Sequence, residues 1–456
     1  MVCEAVNPAL VRKYNRPVPR YTSYPTVPFW NDTLDKAEWQ RHFKIRFDEE
    51  NAQNGISLYI HLPFCESLCT YCGCNKRITT NHSVEEVYLE YLKKEWALYQ
   101  ALMNQAPVIR ELHLGGGTPT FFSPLNLKRL LEFILKNSLV HPRHEFSIEG
   151  HPNNTTDAHL RMLYTLGFRR ISYGVQDNDP DVQRVINRIQ PFENVKAATE
   201  NARAAGFTSV NFDLIYGLPL QTLESMERTI KQTLTVKPDR IAFYSYAHVP
   251  WVSKAQRLFD ESHLPSAELK LQLYLKGKQL LLNDGYVDIG MDHFALPTDD
   301  LYTAWIEGTL HRNFMGYTPQ ATNLLLGLGV SSISDSGDAY AQNTKTLHEY
   351  YEAIHSGNLA IKKGYILNTQ DGVLKKYILD ISCKGETSFK DADVAFLKEH
   401  TFPKLLELEQ DGLLHWNEKG LKLTPQGRYF IRNVCSAFDV YLDQATTGKQ
   451  IFSKAV

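Results

Sequence analysis

"FCESLCTYCGC", residues 64–74, carries four of the chain's seven cysteines: Cys65, Cys69, Cys72 and Cys74. The other three, Cys3, Cys383 and Cys435, stand alone. A chain of 456 residues can build its core without disulfides. Clustered thiols in such a chain point to a metal and to a reducing compartment, the cytoplasm. Bridges between cysteines three or four residues apart are geometrically awkward, which argues against a disulfide loop. Structural zinc usually takes two ligand pairs from two knuckles, and no second pair follows here. Soft thiolates from one loop, Cys65-x3-Cys69-x2-Cys72, suit an iron–sulfur cluster. Three ligands rather than four leave one iron open to bind and activate a small molecule. Cys74 follows Cys72 too closely to reach the same cluster with ease. It reads either as a loop residue packed beside the cluster or as a group with a catalytic role.

Around this loop, strand-like and helix-like patterns alternate. SLYIHL (57–62) precedes the cysteines, and VEEVYLEYLKKEWALYQAL (84–102) has helical periodicity. VIRELHLG (108–115), HEFSIEG (144–150), RRISYGVQ (169–176), SVNFDLIYGL (209–218) and DRIAFYSYAH (239–248) continue the alternation, and YVDIGMDHF (286–294) is placed to close it. Such alternation predicts a parallel sheet with helices outside. Six or seven units make it an open, partial version of the eight-fold barrel, whose chemistry sits at the C-terminal strand ends. The cysteine loop follows the first strand and GGGTPT (115–120) the second, while Glu149, Gln176, Asp213 and Ala247 end later strands.

Residues 1–52 read as an arm, with three prolines among residues 17–27 and no long periodic stretch. From about residue 360, QDGVLKKYILDIS, DVAFLKEH and PKLLELEQDGLL look helical, HWNEKGLKLT reads as a hairpin and PQGRYFIRNVCSAF as a final helix. That order resembles a winged helix. Between residues 371 and 432 ten basic side chains face ten acidic ones, so no basic face for DNA exists and a lid or packing role is expected. The net charge of −2 gives no reason to expect nucleic acid or an anionic membrane as a partner. The opening MVCEAVNPALVRKYNRP lacks the apolar core of a secretory signal, and ATNLLLGLGVSSIS is too short to span a bilayer.

The spacing C-x3-C-x2-C is the signature of the radical S-adenosylmethionine (SAM) superfamily. PRYTSYPT (19–26), LYIHLPFC, CGCNK, LHLGGGTPT, YGVQD, NFDLIYGLP, YAHVP, GMDHFA and LHRNFMGYT occur in the order seen in oxygen-independent coproporphyrinogen III oxidases (dehydrogenases), so nearly the whole chain resembles that family. The related heme-chaperone branch lacks the PRYTSYPT arm and has an aromatic residue in place of Cys74. One departure is Glu149-Gly150-His151-Pro152, where the family usually has E-V-D-P or E-V-N-P. Glu149 is retained, and the glycine is expected to loosen the backbone beside it.

The resemblance implies a partial (β/α)6-type radical SAM barrel at 53–345, an N-terminal arm at 1–52 and a mostly helical, winged-helix-like C-terminal domain at 346–456. It implies a [4Fe-4S] cluster held by Cys65, Cys69 and Cys72, with SAM on the fourth iron and cleaved on reduction to a 5′-deoxyadenosyl radical. Gly115, Gly116, Gly117 and Thr118 would let the backbone approach the methionine part of SAM. Glu149 can accept from a ribose diol or an ammonium, and Tyr59 would pack on the cluster or on SAM. Tyr59 and Glu149 are the expected catalytic pair. The family holds two SAM molecules. By resemblance, Tyr71, Gly117, Thr118, Gln176, Arg188 and Asp213 would surround the second, while Ala247 and Ile333 line the first. The implied reaction is the oxidative decarboxylation of two propionates of coproporphyrinogen III to vinyl groups in anaerobic heme biosynthesis. Charge and position make Arg20 and Arg312 the candidates for the propionates. A reductant protein such as flavodoxin or ferredoxin would supply electrons to a monomer. The rival readings are another radical SAM activity on heme and a non-catalytic heme-binding or electron-transfer protein.

Overall fold

Seven residues of the first strand, ISLYIHL, are buried on both faces except at Tyr59, the mark of a strand inside a parallel sheet. In the computed structural model, which describes residues 7–251, 253–320, 322–444 and 452–453, this strand lies inside a twelve-stranded sheet. Strands β1 (Ile56–Leu62), β2 (Val108–Gly116), β3 (Leu139–Gly150), β4 (Phe168–Gln176), β5 (Ser209–Tyr216) and β6 (Arg240–Ser245) lie side by side in chain order, each parallel to the next. Helices α1 (Lys36–Glu50), α2 (Val84–Gln100), α3 (Pro124–Lys136), α4 (Asp157–Thr165), α5 (Phe192–Ala204) and α6 (Leu223–Val236) flank them. Local chemistry starts these helices where the sequence places them. Ser123 caps α3 with Pro124 at its first position, and a Thr222–Ser225 capping box opens α6. The apolar stripe Leu127, Leu130, Leu131 and Ile134 of α3 faces the sheet. This is the partial (β/α)6 barrel.

The barrel closes differently from the single strand expected over 286–294. Met291 and Asp292 both have positive φ and split that stretch into β7 (Val287–Gly290) and β8 (His293–Ala295), which pair antiparallel, with β8 against β6. On the other side β1 pairs in parallel with β9 (Leu325–Leu328). Three antiparallel strands follow: β10 (Ile333–Asp335), β11 (Ala339–Asn343) and β12 (Ile361–Ile366). The sheet therefore continues past the boundary expected at 345.

The segment before the barrel is more than an arm. Helix α1 buries Trp39, Phe43 and Phe47 completely in the main core, with Phe43 against Tyr99. Spaced i, i+4, i+8 among charged residues, these three form a stripe only one side chain wide, too thin to register as a periodic pattern. Residues 7–30 pack elsewhere. Leu10, Val11, Tyr14, Tyr21 and Tyr24 belong to a second core with Leu374, Tyr377, Ile378, Phe430 and Phe438. Arg432, buried in that core, donates to the carbonyls of Val18 and Pro19 and ties the arm down. The C-terminal part has the expected winged-helix-like order: helix α7 (Thr369–Lys384), helices Asp391–His400 and Phe402–Gln410, and a small antiparallel sheet with the hairpin Leu414–Asn417/Gly420–Leu423. The helix expected over PQGRYFIRNVCSAF is shorter, and a further helix, Val440–Gln444, follows it. A 3-10 turn occupies Gly427–Phe430 before Ile431–Ser436, and the Gly427 backbone there lies against the Leu413 carbonyl. Among the described residues no helix is long and apolar enough to cross a membrane.

Candidate active site

The cysteine loop leaves β1 and is pinned along its length. The Phe64–Cys65 pair lies beside Arg77–Ile78. Thr70 N–H donates to Ile186 O at 3.0 Å and Asn187 Nδ2 to Leu68 O at 2.8 Å. Ser253 Oγ donates to Cys72 O and Gln256 Nε2 to Tyr71 O. Two side chains reach the sulfurs: Thr118 Oγ1 lies 3.3 Å from Cys65 Sγ and Arg188 Nη1 lies 3.7 Å from Cys69 Sγ. Burial pushes the Cys65 thiol up to about 11, against which the Thr118 hydroxyl works. Among the described residues, no three of His, Cys, Asp or Glu converge on a position for a single metal ion. Three free thiols gathered in one clamped loop suit an iron–sulfur cluster. Cys74 is exposed and lines the neighbouring cavity. Replacing it with serine should therefore leave the iron content near wild type. Loss of iron from Cys74→Ser would move it into the ligand set.

A cavity of about 430 Å³ opens beside this loop. Tyr59, Gly116, Glu149 and Ile333 all line it, together with Arg20 and Arg312. Tyr59 donates its hydroxyl to His61 Nδ1 at 3.0 Å, because His61 Nε2 is committed to Asn75 O at 2.9 Å. Burial lowers the His61 pKa and keeps the ring neutral. His113 lies across from Tyr59 in register, stacks on it with centroids 5.9 Å apart, and bonds both Ser147 Oγ and Glu149 Oε1. Glu149 also accepts the Gly116 N–H at 3.1 Å. Its depth in the barrel works against the anion, but the His113 bond and charge and the Gly116 N–H outweigh it and hold the carboxyl below its usual range. The site thus keeps an ionised acceptor at the mouth of the cavity.

The glycine motif packs closely against the chain's own first strand. Gly116 has φ +119°, and a Cβ there would lie 2.7 Å from the His61 ring; one on Gly117 would lie 2.6 Å from the Pro63 carbonyl. These glycines let GGGT pack against the chain's own β1 and its exit, with Gly117 N–H on Leu62 O and Thr118 N–H on Phe64 O. The backbone beside Glu149 is tight rather than loose. A Cβ on Gly150 would meet Thr155 Oγ1 at 2.8 Å, and His151 Nδ1 accepts the Asn153 N–H at 3.1 Å, the contact an Asp or Asn oxygen makes in an Asx turn.

A second group gathers behind the cysteine loop. Arg188 Nη2 donates to Gly174 O at 2.5 Å, and a Cβ on Gly174 would press on both Gln176 and Arg188. Gln176 has φ +67°. Its Oε1 and the Nε of Arg188 are buried without partners. Tyr71 lies close enough to Arg188 for its ionisation to feel that charge. Asp213 accepts from Ser172 Oγ at 3.1 Å and Asn211 Nδ2 at 3.0 Å; burial, then the Glu149 charge, pushes its carboxyl up to about 7. Ala247 stands apart. It lines a separate cavity of about 300 Å³ with Tyr246, His248 and Lys270.

Several residues of the site were not legible as such. His61, His113, His293, Ser172 and Asn211 lie inside strand patterns, where each looked like one more strand residue. Glu95 was hidden in the helical face of α2. It is fully buried and accepts from Gly329 N–H (2.7 Å), Tyr350 Oη (2.7 Å) and Asn343 Nδ2 (2.6 Å), fixing the loop whose Ser331 and Ser332 line the cavity. Burial raises its carboxyl from 4.5 to about 7. The folded state therefore holds this proton more tightly than the unfolded one. The stability this contributes is complete below pH 4.5 and is lost as pH rises to 7. Glu95→Gln, neutral throughout, should flatten the dependence of the urea midpoint on pH over that window. Equal slopes in variant and wild type would remove Glu95 from the account.

The radical SAM superfamily model matches residues 59–233, the stretch from β1 through most of α6, and this defines the class. The oxygen-independent coproporphyrinogen III oxidase of Helicobacter pylori is 41% identical over 97% of this chain and 98% of its own length. That of Escherichia coli is 40% identical, covering 98% of each. The solved structure of Escherichia coli coproporphyrinogen III oxidase, described as a radical SAM enzyme, superposes with a TM-score of 0.89 at 38% identity, covering 96% of this chain and 99% of that one. The chain belongs to the oxygen-independent coproporphyrinogen III oxidase family.

Proposed function

We infer that this chain decarboxylates two propionates of coproporphyrinogen III oxidatively to vinyl groups, giving protoporphyrinogen IX in anaerobic heme biosynthesis. The observation that carries this reading is one cavity bordered by the cysteine loop, by the ionised Glu149 and by the guanidinium groups of Arg20 and Arg312. When bound, the [4Fe-4S] cluster and SAM supply the electron and the carbon radical that removes hydrogen from a propionate β-carbon. Cys65, Cys69 and Cys72 hold the cluster, and Thr118 and Arg188 stabilise negative charge on Cys65 and Cys69. Glu149 accepts from the ribose or ammonium of SAM. Tyr59, locked onto His61 and His113, would pack against the cluster or SAM. Ile333 closes the apolar side. Arg20 and Arg312 meet carboxylates of the substrate. Arg20 is partly engaged by Asp292 at 3.4 Å and Ser245 O at 3.2 Å, so Arg312 is the stronger anion partner. On this reading the protein works as a monomer in the reducing cytoplasm with a flavodoxin or ferredoxin as reductant, a compartment its clustered thiols support. Anaerobically reconstituted protein, reduced and given SAM and coproporphyrinogen III, should form protoporphyrinogen IX. SAM cleavage without any change in the tetrapyrrole would refute the substrate.

A second SAM completes this reading. Support comes from the partnerless Gln176 Oε1 and Arg188 Nε, and from an Arg188 charge close enough to act on both Tyr71 and Asp213. A carboxylate and a guanidinium suit a zwitterionic amino acid. Arg188→Ala or Asp213→Ala should each cost roughly 1.5–3 kcal/mol of that binding, the contribution of a hydrogen bond to a charged group. Equilibrium dialysis should show SAM stoichiometry falling from two toward one with iron unchanged. A wild type that binds one SAM, or a double variant that binds two, rules this site out.

A further inference from the structure

Beside the main cavity lies another of about 240 Å³. Its walls come from the arm at Tyr21–Tyr24, the strand His311–Asn313, the stretches at Thr322–Leu325 and Asp335–Gly337, and helix α7. Thr22, Arg312 and Leu325 border both cavities, so Arg312 stands at their junction. Its side chain belongs to a residue only 8% exposed. Nη2 donates to Arg20 O at 3.4 Å, while Nε and Nη1 are buried without partners. The Tyr317 ring, 4.7 Å away, offers a cation–π contact but accepts none of these hydrogens in a conventional bond. A guanidinium keeps its charge at any working pH, and buried donors left unpaired cost free energy. The lysines of the same cavity are already neutralised, Lys375 by Asp335 and Lys376 by Asp380. The charge that remains without a counter-ion around this cavity, among the described residues, is that of Arg312.

We propose that the smaller cavity seats a propionate of the tetrapyrrole other than the one being decarboxylated, its carboxylate held by Arg312 at the junction. This rests on the substrate assigned above. Propionates stand on the rims of neighbouring pyrrole rings. When one faces Glu149, a neighbour must leave the main cavity sideways, and the junction at Thr22 and Arg312 is where the second cavity begins. Leu325, Ile378 and Leu379 then cover its methylene groups, and the hydroxyls of Thr22 and Ser23 lie within the same wall. The arm thereby supplies one wall of a carboxylate pocket.

Two variants test this from opposite ends. Arg312→Gln removes the charge. Gly372→Trp obstructs the rim. Gly372 is exposed at the cavity edge, and a Cβ there meets nothing within 4 Å, so the helix accepts the change. Both should retain wild-type iron content and thermal midpoint. Each should raise the dissociation constant for coproporphyrinogen III, measured anaerobically, Arg312→Gln by roughly 10- to 150-fold. Arg312→Lys should recover part of the loss. If Gly372→Trp and Arg312→Gln both bind coproporphyrinogen III as wild type does, the second cavity has no such role. If wild type cleaves SAM but does not bind coproporphyrinogen III, the substrate itself is wrong and the proposal falls with it.

Discussion

Alanine at any one of Cys65, Cys69 or Cys72 is expected to remove the iron–sulfur cluster and to abolish SAM cleavage entirely. A three-thiolate site has no spare ligand, and Cys74, whose thiol lies against Cys72, is assigned outside the ligand set. The fold should survive. None of the three side chains fills either large hydrophobic core, and the loop is held by backbone bonds to Ile186, Ser253 and Gln256 that alanine does not touch. The unloaded variants should therefore melt close to the unloaded wild type, while iron and sulfide fall to background and no 5′-deoxyadenosine forms with reductant. A variant that keeps both iron and turnover would overturn the assignment of the loop.

The second large effect is expected from the arm. Deleting residues 1–30 takes Leu10, Val11, Tyr14, Tyr21 and Tyr24 out of the C-terminal core. It leaves Arg432 without its two carbonyl partners and removes Arg20 and Thr22 from the cavity. Truncating one large buried aromatic costs about 3–5 kcal/mol, so losing three such tyrosines should destabilise the C-terminal part more than any single substitution. Vinyl formation should cease. The barrel keeps its own core and its cysteine loop, so slow uncoupled 5′-deoxyadenosine production should persist at low temperature. Normal conversion of coproporphyrinogen III by the truncated chain would show that the arm is dispensable to the site.

The barrel was legible because its strands are buried on both faces and read as apolar runs between helical stripes. The cysteine loop was legible because thiolate spacing is a local property. What escaped depends on contacts distant in sequence. Nothing local marks His113 as the partner of Glu149, since the two meet only when β2 and β3 align. Nothing local shows that Gly116 lies against the His61 ring. The stretch 286–294 looked like one strand because positive φ at Met291 and Asp292 is imposed by the hairpin, not by residues that favour it. Ala247 was expected to end a strand, yet it lies two residues beyond β6, where the chain has turned to line a different cavity.

The arm and the C-terminal helices are far apart in the order of synthesis. Lys13 pairs with Asp411, 398 positions on, and Tyr21 with Asp439, 418 positions on. At about 5–20 residues per second, a ribosome needs roughly 20–80 s to deliver the partner of Tyr21 after Tyr21 itself. The barrel strands, residues 56–245, have neighbours much sooner and close on contacts of shorter range. Assembly therefore has a direction: the metal loop is framed early, and the enclosure for substrate is finished last. A nascent chain stalled near residue 380 should already protect its barrel from protease while its first thirty residues are still cut. Protection of those residues at that length would mean that they find another resting place before their core exists.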